Sequence, residues 1–224
     1  MDIVKIININ YQDLLNFILG QNNQKTILLS LLENNFFIIS VFLNKSIKPI
    51  DIELIKNFKH HYNLDIEFKF IIENDIDIDH FKLIQSFFEE EEISLYPHYN
   101  RHNYTFFEKN IFLEEHDIMN IEPLDQKHLF KRKKINENYF SKLIFTWDGN
   151  IFSNIHSTNI GNIQTLKNNS LHEIIFNELT NNGVWFRTRE QVYPCKNCIY
   201  NIFCPPITNY EFVMNRNNLC HYFN

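Results

Sequence analysis

NFFIISVFL, residues 35–43, is the stretch on which the fold reading turns. It is a nearly continuous apolar run rich in β-branched and aromatic residues, the composition of a strand covered on both faces. A helix signature follows it. Pro49 suits a first-turn position, Asp51 and Glu53 lie near the positive end of the helix dipole, and Leu54, Ile55 and Phe58 fall at core spacing. The pattern then recurs: DIEFKFII (residues 65–72) alternates as a strand, residues 79–88 return to a helical period, and residues 93–96 form a third strand. Strand–helix units of this length predict an α/β fold with a parallel sheet and right-handed crossovers. Three units amount to a partial, half β/α barrel, since a closed one needs eight strands. Upstream, residues 11–19 read as a short amphipathic helix ended by Gly20, and residues 26–32 as a further helix.

The chain of 224 residues is 44% hydrophobic and 15% aromatic, enough to bury a substantial core. Only four Gly and six Pro predict regular elements with short connections. A formal charge of -6 argues against nonspecific binding to nucleic acid or to an anionic membrane. No window offers the roughly eighteen uninterrupted apolar residues of a bilayer span. The first residues lack the basic flank and apolar run of an export signal, so a cytoplasmic location is expected.

Further along, the acidic run Glu89 to Glu92 reads as a solvated helix end, and the histidines His60, His61, His98 and His102 as surface or loop residues. Residues 111–118 resemble a closing strand and turn. Composition shifts over residues 121–138, which hold Pro123 and the basic run Lys131-Arg132-Lys133-Lys134. This predicts a linker between a first domain (1–120) and a second (139–224), with the basic run as a docking patch for an acidic peptide segment as the sharper alternative. Residues 140–146 and 151–155 flank an Asp148-Gly149 turn as a hairpin, and Ser170 with Glu173 marks the start of a helix.

All four cysteines lie near the C-terminus: Cys195, Cys198, Cys204 and Cys220, spaced C-x2-C-x5-C-x15-C. Four thiolates are what one tetrahedral zinc ion or one [4Fe–4S] cluster requires. Disulfides fit poorly with a reducing compartment. One C-x2-C knuckle followed by two single cysteines differs from the paired knuckles of a zinc ribbon, and Pro205 directly after Cys204 favours a cluster.

The Asp148-Gly149 hairpin, IGNI (160–163), SLHEI (170–174) and the C-x2-C-x5-C run together closely resemble the SPASM domain, which follows the radical SAM barrel in enzymes that modify ribosomally made peptides. FFEKNIFLEEHDI (106–118), CKNCIYNIFCPPITNYE (195–211) and NLCH (218–221) resemble more closely the pseudo-radical-SAM proteins of Gly-Gly-leader peptide systems in Bacteroidales-type bacteria. The resemblance is specific over residues 139–224, moderate over 93–138, and rests on the βα rhythm before that. It implies a radical-SAM-type partial barrel followed by a small hairpin, helix and cysteine-loop domain. The sequence departs from the family in two respects. No cysteine precedes residue 195, so the C-x3-C-x2-C ligands for reductive cleavage of S-adenosylmethionine are missing, and the regions near residues 153–156 and after Gly161 lack the cysteines of a first auxiliary cluster. The resemblance therefore implies a noncatalytic maturation protein that holds one [4Fe–4S] cluster, or zinc, on Cys195, Cys198, Cys204 and Cys220. It would bind a precursor peptide with a Gly-Gly leader, a peptide-modifying partner enzyme, or both. The competing expectations are an electron-relay subunit of a true radical SAM enzyme and a zinc-stapled structural adaptor.

Overall fold

The computed structural model describes residues 4–19, 37–89, 92–120, 124–146, 148–154, 156–165, 170–181 and 183–221. The helix expected at residues 26–32, with Gly20 before it, lies outside the described residues.

Strand β1 (Val4–Asn10) runs into helix α1 (Tyr11–Ile18), and β2 (Phe37–Leu43) into α2 (Pro49–Tyr62). β3 (Asp65–Ile72), α3 (Asp75–Gln85) and β4 (Ile93–Pro97) complete the repeat. The three expected strands thus form where their periodicity places them, and the protein is α/β. VKIININ supplies the additional strand, β1. Its alternating Ile residues put Ile7 and Ile9 into the core.

Helix α2 begins as its sequence dictates. Pro49 occupies the first turn, where its missing N–H leaves nothing unsatisfied, and the Asp51 carboxylate accepts the Lys48 N–H at 3.0 Å. Asn63 closes the helix in the left-handed conformation that Asn tolerates. Asn74 caps α3 by accepting the Asp77 N–H at 3.2 Å.

The sheet order is β4-β3-β2-β1-β5-β6-β7, where β5 is Lys142–Thr146, β6 Asn150–Phe152 and β7 Gly161–Asn162. β5 pairs parallel with β1, Val4 opposite Lys142 and Asn8 opposite Thr146. The two arms of the expected hairpin therefore extend the same sheet on the far side of β1. Between them Gly149 has φ +86°, and its N–H returns to the Thr146 carbonyl at 2.8 Å. A Cβ there would be strained and would meet Ile163 Cγ2 at 2.9 Å.

One face of the sheet carries Ile7, Ile39, Val41, Phe68, Phe70, Leu143 and Phe145, all buried, together with Leu14 of α1 and Ile55 of α2. The strands alternate, so the opposite face collects Ser40, Glu67 and Lys69. Lys69 reaches Ser40 Oγ at 3.0 Å and Glu67 at 2.6 Å, and Ser40 also donates to Glu67. Burial pushes the Glu67 carboxyl up, but bonds from Lys69 and Ser40 and the charges of Lys69 and Lys142 outweigh it and hold it below the usual range.

The chain forms two compact units: residues 1–98 with 142–151 and 162–164, and residues 99–141 with 152–161 and 165–224. The second contains α4 (Tyr104–Asn110), α5 (Glu115–Met119), α6 (Gln126–Lys134), α7 (Ser170–Thr180) and α8 (Asn209–Met214). Its aromatic core gathers Phe107 with Tyr99 and Tyr210, both at 5.4 Å between ring centres, and Trp185 with Phe140 at 5.9 Å. Two sequence expectations are corrected here. The basic run lies in a helix, α6, with Asp125 as its N-cap, and residues 115–119 are helical. Among the described residues no helix is long and apolar enough to cross a membrane.

Candidate metal centre

After Trp185 the chain proceeds by tight turns, which suits a segment whose backbone must present side chains in several directions within few residues. The Thr188 carbonyl accepts the Gln191 N–H, Cys195–Asn197 forms one 3-10 turn, and the Cys204 N–H returns to the Tyr200 carbonyl at 3.1 Å. Cys220 enters by another route. Leu113, between α4 and α5, forms a parallel bridge with it: the Leu113 N–H donates to the Leu219 carbonyl at 2.8 Å, and the His221 N–H to the Leu113 carbonyl at 3.0 Å.

The four cysteines are free, Cys195 buried and the others half-buried. Cys204 lies within electrostatic reach of Cys198, Cys195 and Cys220, and Cys195 within reach of Cys220. Burial pushes the Cys204 thiol up to about 11 against the pull of Arg189, and raises Cys195 likewise. Among the described residues no three His, Cys, Asp or Glu side chains stand close enough together to ligate a single ion. Sulfur donors as such suit a thiophilic ion or an iron–sulfur cluster rather than a hard, oxygen-seeking cation.

Beneath the thiols lies a buried ion pair. Arg189 donates to both carboxylate oxygens of Glu211, to Oε2 at 3.0 Å. Its Nε donates to the Pro205 carbonyl at 2.9 Å, and its Nη1 to the Asn217 carbonyl at 2.6 Å and to Cys195 Sγ at 3.9 Å. Glu211 also accepts the Thr208 N–H at 2.8 Å and its hydroxyl at 3.1 Å, closing a capping box at the start of α8. Burial pushes the Glu211 carboxyl up, with Arg189 and Thr208 pulling against it.

Arg132 of the basic run reaches this loop. Arg132 donates to the Phe203 carbonyl at 3.0 Å and the Cys204 carbonyl at 3.3 Å while pairing with Glu137 at 3.0 Å. Lys131 reaches Glu137 at 3.4 Å, and Lys133 reaches Glu190 at 3.2 Å. Asn136 and Asn138 donate to the Ile207 carbonyl at 3.0 and 3.2 Å. Arg132, Asn136, Arg189 and Cys204 help line an enclosed cavity of about 10 Å³, and Thr188 Oγ1, on its wall, has no hydrogen-bond partner. That volume and lining suit a single ordered water.

The histidines take no part in the cysteine loop's first unit of turns. His98 Nδ1 meets Glu73 at 2.6 Å beside the sheet, and His60 and His61 lie on α2. Ser153 and Asn154 are buried, and Ser153 bonds to Glu178, whose carboxyl burial pushes up.

Sequence reasoning picked out the four thiols but missed Arg189, Glu211 and Arg132. The Glu211 signal was present in Thr208-x-x-Glu211, a capping-box pattern. Arg189 carries no local signal, since its partners are brought to it by the turns. Comparison with protein-family models, with curated proteins and with solved structures finds no match to this chain.

Proposed function

We propose that Cys195, Cys198, Cys204 and Cys220 hold one [4Fe–4S] cluster, and that the chain is a noncatalytic maturation protein of a ribosomally made peptide pathway. The observation that supports the cluster reading is the set of four cysteines free of disulfides and spaced C-x2-C-x5-C-x15-C, with Cys204 in electrostatic reach of the other three. Cys220, distant in sequence, is held by its bridge to Leu113. Such a cluster supplies one-electron chemistry or a structural staple. The chain's own residues then hold the loop that carries it: Arg132 from α6, and Arg189 with Glu211 from beneath.

On this reading the open sheet is a partial barrel of radical SAM type and the second unit is SPASM-like. The partner is a precursor peptide with a Gly-Gly leader, or the enzyme that modifies it. Peptide would add as a strand along β4, which among the described residues is the edge strand of the sheet. The internal pairing of Lys131, Arg132 and Lys133 favours this edge over the basic run as the docking surface.

The test is composition first. Anaerobically purified protein should be brown, with about four iron and four sulfide per chain; colourless protein with one zinc overturns the cluster. Titration with a Gly-Gly-leader peptide should then give affinity on the order of micromolar. Leu95→Lys on β4, a half-exposed position, should weaken it, and equal binding by wild type and variant overturns the edge as the docking site.

A further inference from the structure

We infer that Cys195 and Cys198 form a dithiol–disulfide pair that exchanges electrons with small disulfides, Cys198 as the attacking thiol and Cys195 as the resolving one. The inference needs two thiols and no metal, so it goes beyond the cluster reading and does not rest on it.

The backbone supplies the geometry. Cys195–Asn197 is a 3-10 turn, and the Cys198 N–H closes it on the Cys195 carbonyl at 2.9 Å. Such a turn takes about three residues and rises roughly 2 Å per residue, so positions i and i+3 stand one above the other with Cα atoms about 6 Å apart. A disulfide spans Cα separations of roughly 4.4–6.8 Å, so the bond can form across this turn with the backbone kept as it is. Cys204 instead closes a turn on the Tyr200 carbonyl at 3.1 Å, and Cys220 bridges Leu113.

Closure asks only that both sulfurs turn. The Cys195 thiol donates to the Asn217 carbonyl at 3.0 Å, and Cys198 Sγ accepts the Tyr200 N–H at 3.4 Å. Both are bonds of sulfur, a weak donor and acceptor, and rotation about χ1 releases them. The Asn217 carbonyl keeps Arg189 Nη1 at 2.6 Å when Cys195 leaves, so no buried acceptor is orphaned.

Access divides the roles. Cys195 is 9% exposed and Cys198 half-buried, so an incoming disulfide R–S–S–R meets Cys198 first. Cys198 attacks one of its sulfurs, giving a mixed disulfide and releasing RS⁻. Cys195 then attacks Cys198 Sγ and expels the second RS⁻. Two electrons and the two thiol protons pass to the incoming molecule, which leaves as two RSH, and the chain keeps one disulfide. The reverse reaction consumes a dithiol. In a reducing compartment a disulfide of this kind is transient, and catalytic or redox-sensing.

The experiment uses the full chain, freed of metal with a chelator and equilibrated in mixtures of reduced and oxidised dithiothreitol. Samples are quenched with acid, alkylated, cut with trypsin and mapped by tandem mass spectrometry. Trypsin separates Cys195 (residues 190–196) from Cys198 and Cys204 (197–216) and from Cys220 (217–224), and fragmentation shows which cysteine of 197–216 carries a link. The expected result in the oxidised mixtures is a link from Cys195 to Cys198, with Cys204 and Cys220 alkylated. Four alkylated thiols at every mixture, or a link through Cys204 or Cys220 instead, overturns the inference. Roles are read from single variants: Cys195→Ser should trap a mixed disulfide on Cys198 with a chromogenic aromatic disulfide about tenfold faster than Cys198→Ser traps one on Cys195. Equal trapping rates overturn the division of roles. Should either variant fail to fold, the same peptide map of wild type after a brief exposure to that reagent decides, adduct on Cys198 before Cys195 supporting the roles and the reverse overturning them. Iron measured before the chelator is added tests the cluster reading separately, so either reading fails without the other.

Discussion

Glu211 sits at 1% exposure against a buried guanidinium, so removing it leaves an uncompensated charge in the interior. Glu211→Ala should cost about 3–5 kcal/mol in denaturant unfolding, whereas the double variant with apolar residues at 189 and 211 should fall well short of that loss. Equal losses in the two would show that packing volume, not charge, holds this site. Glu92 gives a pH dependence. Burial alone would raise its carboxyl, but Lys56 at 2.7 Å, Lys59 at 3.1 Å and the Glu89 N–H hold it at about 2, against an ordinary 4.5. A depressed carboxylate contributes stability above its unfolded value, and that contribution disappears as pH falls from about 4.5 towards 2. Glu92→Gln should therefore lose on the order of 2 kcal/mol at pH 7, discounted for partial exposure, and the difference from wild type should vanish near pH 2. A difference independent of pH in urea titrations would remove the ion pairs as its cause. In sequence the acidic run read as a solvated helix end. The spacing of Lys56 and Lys59 is visible there, but which acid meets them depends on where β4 begins beside β3.

At the scale of elements, α6 shows how a composition signal can mislead. Four consecutive basic residues read as a solvated linker, yet Asp125 caps them into a helix and Arg132 reaches over to the Phe203 and Cys204 carbonyls. Arg132→Ala should speed hydrogen exchange of amides in residues 203–207 while leaving β5 unchanged. Unaltered exchange in that segment would mean that Asn136 and Asn138 suffice to hold it. The strands β2, β3 and β4 were legible locally, β2 from its continuous apolar run and β3 from its alternation. α4 and α5 were not, because helices of seven and five residues are too short to display one, and Ile111 to Leu113 has the composition of a strand.

For the whole molecule, the sequence carries the α/β class in its rhythm, but not the place of β5. Nothing local to KLIFT says that its partner is β1, since parallel pairing between distant segments leaves no mark on the periodicity of either. The apparent boundary before residue 139 thus follows composition, while the sheet is completed by residues beyond it. A fragment ending at residue 138 should fail to unfold cooperatively and should associate, because β1 is left with an unpaired edge. A monomeric fragment with a sharp unfolding transition would show that β2, β3 and β4 suffice for a stable sheet.

The same strand order sets a timetable for synthesis. The ribosome releases β1 first and β5 only after most of the chain, and at roughly 5–20 residues per second the interval is on the order of ten seconds. Through that interval the centre of the finished sheet is an exposed flank of the nascent chain, and the growing polypeptide must keep it from other strands until Lys142 arrives opposite Val4.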